Sequence, residues 1–140
     1  MTRKEIRMSS SMTIFSPDGA FRVESEVFVA GARHNWGSEV PILTNPDSRP
    51  HNLTVQIKRE GGTSFQVFHD RLDESVLTDG DPDQCAEVAV WVLSLLSGQL
   101  SGRLWMTDQG FTGHIDLVPG MTVADVRDGW ISHADHAPEI

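Results

Sequence analysis

Three aspartates stand at alternate positions immediately before an apolar segment, at Asp79, Asp81 and Asp83. Carboxylates at this spacing supply the first three ligands of an EF-hand calcium loop. The match ends there, because Gln84 stands where the loop needs glycine and Val90 where it needs a bidentate glutamate. We therefore predict no metal site, and we interpret Asp79 and Asp83 as part of an acidic patch that contacts a protein partner.

One thiol and six histidines raise the question of nucleophilic and acid–base chemistry. Cys85 lies in the first turns of a predicted helix, where partial positive charge lowers the pKa of a thiol. It also lies on an apolar stripe, which favours an inert, buried thiol. His114 and Asp116 are two residues apart in a predicted strand, so both side chains point to one face and are candidates for lining a ligand pocket. The histidines lack the dense spacing of a zinc site, and we predict no cofactor.

Residues 31–50 are the least regular part of the sequence, with three prolines, two glycines and no period. We predict a long loop there, which is either a functional site or a cover over one end of the core. Within it Arg33, His34 and Trp36 combine a cation, a titratable ring and an aromatic ring. Such a mixture is common at recognition surfaces, so these three residues are candidate contacts of a partner or ligand.

Three aromatic residues fall on strand faces that the alternation pattern assigns to solvent, namely Phe28, Phe68 and Trp105. Single exposed aromatic side chains are ordinary, whereas a cluster of them marks an interface or a ligand groove. Their clustering depends on the order of the strands, which the sequence does not determine. We treat all three as candidate binding residues.

The elements that must position these residues are organised around one apolar segment, from Asp81 to Gly98. Asp81 is a suitable helix cap, Pro82 suits the first helical position, and Gln84 completes a capping-box spacing. Apolar residues then cover nearly the whole circumference of the helix, so we expect a sheet to cover it.

Segments of alternating polarity supply that sheet. We predict three hairpins, which join residues 12–15 to 21–30, residues 53–58 to 63–70, and residues 103–107 to 111–117. Thr122 and Asp125 have the spacing of a second capping box and predict a short C-terminal helix. The predicted fold is a single α+β domain over residues 13–133, with a largely antiparallel sheet of about six strands in the order ββ, loop, ββ, α, ββ, α. We expect a mobile lead-in at residues 1–12 and a polar tail at residues 134–140.

Composition narrows the class of protein. The chain has 140 residues, a net charge of −9 and one cysteine. So acidic a protein is not suited to nucleic acid, and neither a membrane-spanning run nor a signal peptide is present in the sequence. We expect a cytoplasmic protein without intramolecular disulfides.

The favoured hypothesis is a small acidic protein-binding module without catalytic activity, which neutralises or regulates a partner with a basic surface, such as a toxin or nuclease. The alternative is a small-molecule-binding or enzymatic domain with a pocket between the sheet and the loop at residues 31–50. A homodimer that buries the exposed aromatic residues is the third hypothesis.

Overall fold

A computed structural model describes residues 11–19, 22–44, 51–58, 64–70, 75–96 and 102–133 of the protein. The lead-in expected at residues 1–12 lies outside this part of the chain except for its last two residues, and the tail expected at residues 134–140 lies outside it entirely. The described residues form eight strands and three helices. In chain order these are β1 (Met12–Phe15), α1 (Ser25–Trp36), β2 (Ile42–Thr44), β3 (His51–Ile57), β4 (Phe65–Asp70), β5 (Ser75–Thr78), α2 (Pro82–Leu95), β6 (Trp105–Asp108), β7 (Gly113–Asp116), α3 (Val123–Arg127) and β8 (Ile131–Ser132).

All eight strands belong to one antiparallel sheet, in the order β2-β3-β4-β5-β1-β6-β7-β8. The predicted α+β class and the antiparallel sheet are confirmed. The described residues form eight strands rather than six, because β2, β5 and β8 were not predicted and residues 25–30 of the strand predicted at 21–30 are helical. Among the described residues, no helix combines the length and apolar composition that crossing a lipid bilayer requires.

The predicted first hairpin is wrong. Strand β1 pairs with β5 on one side and β6 on the other, and residues 25–36 form helix α1. Phe28 and Ala32, four residues apart, are fully buried side by side on one face of this helix, whereas in a strand they would lie about 13 Å apart. The predicted loop at residues 31–50 is also wrong in two places. Residues 31–36 belong to α1, and residues 42–44 form β2.

Helix α2 begins as predicted. The side chain of Asp81 accepts from the backbone N–H of Gln84 at 2.8 Å, and the Gln84 side chain accepts from the Asp81 N–H at 2.9 Å. Trp91 is buried, because α1 covers it and the carbonyl of Gly31 accepts from its indole N–H at 3.2 Å. The helix is therefore covered by the sheet on one side and by α1 and α3 on the others.

The third predicted hairpin and the second capping box are confirmed. Strands β6 and β7 pair, with Trp105 opposite Asp116. Thr122 and Asp125 cap α3 reciprocally at 3.0 and 3.1 Å. Strand β5 lies in a segment for which no strand was predicted and occupies an interior position between β4 and β1. Its two-residue apolar content, Val76 and Leu77, was too short a signal to identify a strand.

Candidate functional site

The register of the sheet places one residue from each strand in a single row on the face opposite the core. Partners across an antiparallel pair share a face, so the cross-strand pairs can be followed from edge to edge of the sheet. We call this set the outer row, which consists of Leu43, Thr54, Phe68, Leu77, Thr13, Thr107, His114 and Ile131. The neighbouring row points to the helices and holds core residues such as Val76, Ile14, Met106 and Ile115.

The outer row is not uniformly exposed. Leu43 and Ile131 at the two edges are 47% and 45% exposed, and Phe68 and Leu77 are half-buried. Thr107 and His114 near the β8 edge are buried. Side chains on the same face therefore cover this end of the sheet. Toward the other edge Thr54 is also buried, and Leu43 beside it is exposed.

The covering side chains form what we call the aromatic–histidine cluster, made of Phe15, Trp105, Phe111, His114, Asp116 and His133. Its centre is Trp105, only 3% exposed, whose ring stacks on the imidazole of His114 with a centroid distance of 4.0 Å. Phe15 packs edge-on against Trp105 at 6.2 Å, and Phe111 lies 6.2 Å from it in a stacked arrangement. The buried indole Nε1 of Trp105 has no hydrogen-bond partner among the described residues.

A chain of polar contacts passes through the two histidines. His114 Nδ1 lies 2.8 Å from His133 Nε2, and His133 Nδ1 lies 3.0 Å from the carbonyl oxygen of Phe111. On the other side, His114 Nε2 lies 3.3 Å from a carboxylate oxygen of Asp116, whose side chain is 57% exposed. The arrangement can hold and move a proton between a buried ring and a carboxylate at the surface.

Two local features of the β6–β7 hairpin position these groups. The carboxylate of Asp108 accepts from both the backbone N–H and the hydroxyl of Thr112, which tightens the turn and places the Phe111 carbonyl toward β8. Gly113 lies under Trp130, where an added Cβ would stand 2.5 Å from the indole carbons and 2.6 Å from the carbonyl oxygen of Ile131. Only glycine lets β8 approach β7 this closely.

The structure brings three of the sequence-predicted site residues together, namely Trp105, His114 and Asp116. Phe68 shares their face but lies on β4, and β5 and β1 stand between β4 and β6. Three strand spacings therefore separate Phe68 from Trp105 by about 14 Å across the sheet. The expected exposure of Phe28 is wrong. It is fully buried on the helix side, where its ring contacts His69 at 4.9 Å and Trp91 at 5.6 Å.

Arg33, His34 and Trp36 occupy the last turn of α1, on the side of the sheet that carries the helices. Arg33 and His34 are exposed, while Trp36 packs on Trp91 with a centroid distance of 4.6 Å and on Phe65 at 6.4 Å. They do not converge with His114 and Asp116. Arg33 borders an open apolar groove of about 500 Å³ between α1 and Leu53, and Trp36 borders a separate hollow of about 250 Å³.

The predicted acidic patch has structural contacts of its own. A carboxylate oxygen of Asp79 accepts from the backbone N–H of Gln66 at 2.7 Å. Asp83 is exposed and contacts Arg127 at 3.2 Å, and this hydrogen bond, with that to Asp128, raises the pKa of the Arg127 guanidinium. Among the described residues, no group of three or more potential ligands is arranged to hold a metal ion.

Cys85 is buried beside the start of α2. Desolvation, followed by the nearby carboxylates of Asp79 and Asp81, raises the pKa of its thiol to about 12. These effects outweigh the helix N-terminus, which would lower that pKa. The residue is therefore a protonated thiol at neutral pH, which agrees with the interpretation of a buried, inert side chain.

Sequence reasoning missed the contributions of Phe15, Phe111 and His133 to the cluster. His133 is 19 residues from His114 and reaches it only through the pairing of β8 with β7. A two-residue strand leaves no recognisable pattern in the sequence. The position of His133 beside His114 is therefore determined by tertiary structure alone. No family model matches this sequence, and comparisons with curated proteins and with solved structures give no match either.

Proposed function

We propose that this protein is a non-catalytic binding module that docks a protein partner with a basic surface, which it thereby neutralises or regulates, on the sheet face opposite α1, α2 and α3. The observation that carries the proposal is the outer row, which presents Leu43, Phe68, Leu77 and Ile131, at least partly exposed, across the width of the sheet. Partly exposed apolar side chains on a continuous, shallow face are typical of the centre of a protein interface.

Charge supports a basic partner. The chain carries 20 acidic residues against 11 lysines and arginines. Strand alternation places Asp70 on the same face as Phe68, and Asp116 on the same face as His114. An apolar centre bordered by carboxylates suits a partner that presents lysine or arginine around an apolar contact, and the charges would accelerate association and make it depend on salt.

The test uses three immobilised proteins and a lysate of the organism that encodes the chain. These are the wild type, a Leu43→Lys/Leu77→Lys double variant of the outer row, and a Val27→Lys control. Val27 is 41% exposed on α1, on the opposite side of the molecule. We expect a basic protein that binds the wild type and the control, but binds the double variant at least about tenfold more weakly. The affinity of this protein for the wild type should fall as the salt concentration is raised from about 50 to about 500 mM, because salt screens the attraction between opposite charges.

Three results would contradict the proposal. The first is that no protein is retained, and the second is that the retained protein binds all three baits equally or without salt dependence. The third is a wild-type homodimer, detected by sedimentation, that dissociates in the double variant. In that case the outer row contacts a second copy of the chain rather than a basic partner.

A further inference from the structure

Strand β8 has a short attachment to the rest of the sheet. It comprises Ile131 and Ser132, which pair with His114 and Gly113, and the following N–H of His133 donates to the carbonyl of Thr112 at 2.8 Å. Ile131 and the preceding Trp130 are both exposed by about two fifths or more of their surface, and the indole of Trp130 packs on Gly113. The contacts of the His133 side chain with His114 and with the Phe111 carbonyl add to this attachment.

The hydrogen-bond partners of His114 and His133 limit how many protons the two imidazole rings can carry. A carbonyl oxygen only accepts, so His133 Nδ1 must donate to Phe111 across their 3.0 Å separation. The 2.8 Å between His133 Nε2 and His114 Nδ1 requires one proton between the two nitrogens. A carboxylate also only accepts, so a proton on His114 Nε2 is accommodated by Asp116.

The pair thus has room for two protons when it is neutral and for a third when it carries one positive charge. A fourth proton can only go between the two rings, where His133 Nε2–H would face His114 Nδ1–H at hydrogen-bond distance. Two donors and two positive charges then oppose each other, and the contact must break. The close pairing of the rings is compatible with at most one positive charge.

The surrounding charges do not relieve this conflict. Asp116 on β7 faces His114 Nε2, which is the far side of that ring from His133. Arg103, before β6, lies over the Trp105 ring at 5.3 Å and is balanced by Asp18 at 3.9 Å. Asp108 at the β6–β7 turn accepts from Thr112. Within the part of the chain that the structure describes, none of these charged groups accepts the proton between His114 and His133.

We propose that His114 and His133 form a clasp that acid opens. When both imidazoles are protonated, His133 separates from His114, and β8 leaves the sheet together with Ile131. Because Ile131 belongs to the outer row, acid would also weaken partner binding. That consequence rests on the proposed function, whereas the opening of the clasp does not.

The test follows the isolated protein by NMR between pH 8 and pH 4.5. Nitrogen-15 shifts of the imidazoles report the protonation of each ring, and hydrogen exchange reports the protection factor of the His133 amide, which donates to Thr112. We expect this protection factor to fall by about tenfold per pH unit once the fourth proton begins to bind. The reason is that the open form takes up one more proton than the closed form. Core amides such as that of Val88 should keep their protection.

Two variants complete the experiment. His133→Gln replaces the ring by a neutral side chain, so its β8 protection should not change with pH. His34→Gln removes an exposed histidine of α1 and should behave like the wild type. Any of three results overturns the proposal. The His133 amide keeps its protection when both rings are protonated, the fourth proton binds only on global unfolding, or His133→Gln retains the wild-type pH dependence. The result is independent of whether any partner is found.

Discussion

Gly113 lies directly beneath the indole of Trp130, and a Cβ at this position would stand 2.5 Å from two of its ring carbons. The same Cβ would lie 2.6 Å from the backbone carbonyl of Ile131. Since that carbonyl belongs to β8, the overlap cannot be relieved by a rotamer change. The absence of a side chain at Gly113 therefore allows β8 to pair closely with β7 at this position.

We predict that Gly113→Ala displaces β8 and lowers the free energy of unfolding by about 1–3 kcal/mol, the usual cost of overpacking. Urea unfolding measures the loss, and hydrogen exchange at the His133 amide locates it. The matched control is Gly110→Ala in the β6–β7 turn, where the nearest atom is a methyl carbon of Thr112 at 3.3 Å. This control should change stability by no more than about 0.5 kcal/mol. Equal costs for the two substitutions would contradict the assigned packing.

The reciprocal cap of Asp81 and Gln84 gives a second prediction. Asp81→Ala removes both the acceptor for the Gln84 N–H and the favourable charge at the helix start, and should cost about 0.5–2 kcal/mol. Asp81→Asn keeps an oxygen acceptor and should lose much less. Chemical denaturation of the two variants measures the difference, and an Asn variant as unstable as the Ala variant would show that the cap geometry is not the source of the stability.

Local signals were enough to predict what is stabilised locally. The capping boxes at Asp81 and Thr122, and the hairpin of β6 and β7, each depend on residues a few positions apart, and all three are present. Helix α1 was missed because Val27 and Val29 continue an alternation that began earlier in the chain. Burial of Phe28 and Ala32 against α2 and the sheet overrides that strand-like pattern.

The remaining errors concern contacts between distant parts of the chain. Strand β1 lies between β5 and β6, which are at least 60 residues away along the sequence, and the four residues of β1 carry no local signal for those partners. The candidate site was predicted in the same partial way. Trp105, His114 and Asp116 were identified from one hairpin, whereas His133 joins them only because β8 returns to the edge of the sheet.

Phe28 and Phe68 provide a test of the two sides of the fold. Phe28 is enclosed by helix and sheet, so Phe28→Ala should cost about 3–5 kcal/mol, whereas Phe68→Ala on the half-buried outer row should cost less than about half as much. Equilibrium urea unfolding gives both values. Because both residues were expected to face solvent, similar small costs would restore that interpretation and contradict the position of α1.

The raised pKa of Cys85 makes a prediction about alkaline pH. An unfolded thiol ionises near its ordinary pKa of 9.0, whereas the folded one ionises near 12. Between these values the unfolded state binds fewer protons than the folded state, so stability is full below pH 9 and falls as the pH rises toward 12. At pH 10 the loss attributable to this thiol is about 1 kcal/mol.

The measurement is the difference in unfolding free energy between the wild type and Cys85→Ala at pH 7.5 and at pH 10. The variant carries a small cavity cost at both pH values, so the change in the difference isolates the thiol. We expect the advantage of the wild type to shrink by about 1 kcal/mol at pH 10. Iodoacetamide should also react with the folded thiol at pH 8.5 at least about a hundredfold more slowly than with the chain in urea. A pH-independent difference together with rapid alkylation would show that Cys85 is a reactive thiolate.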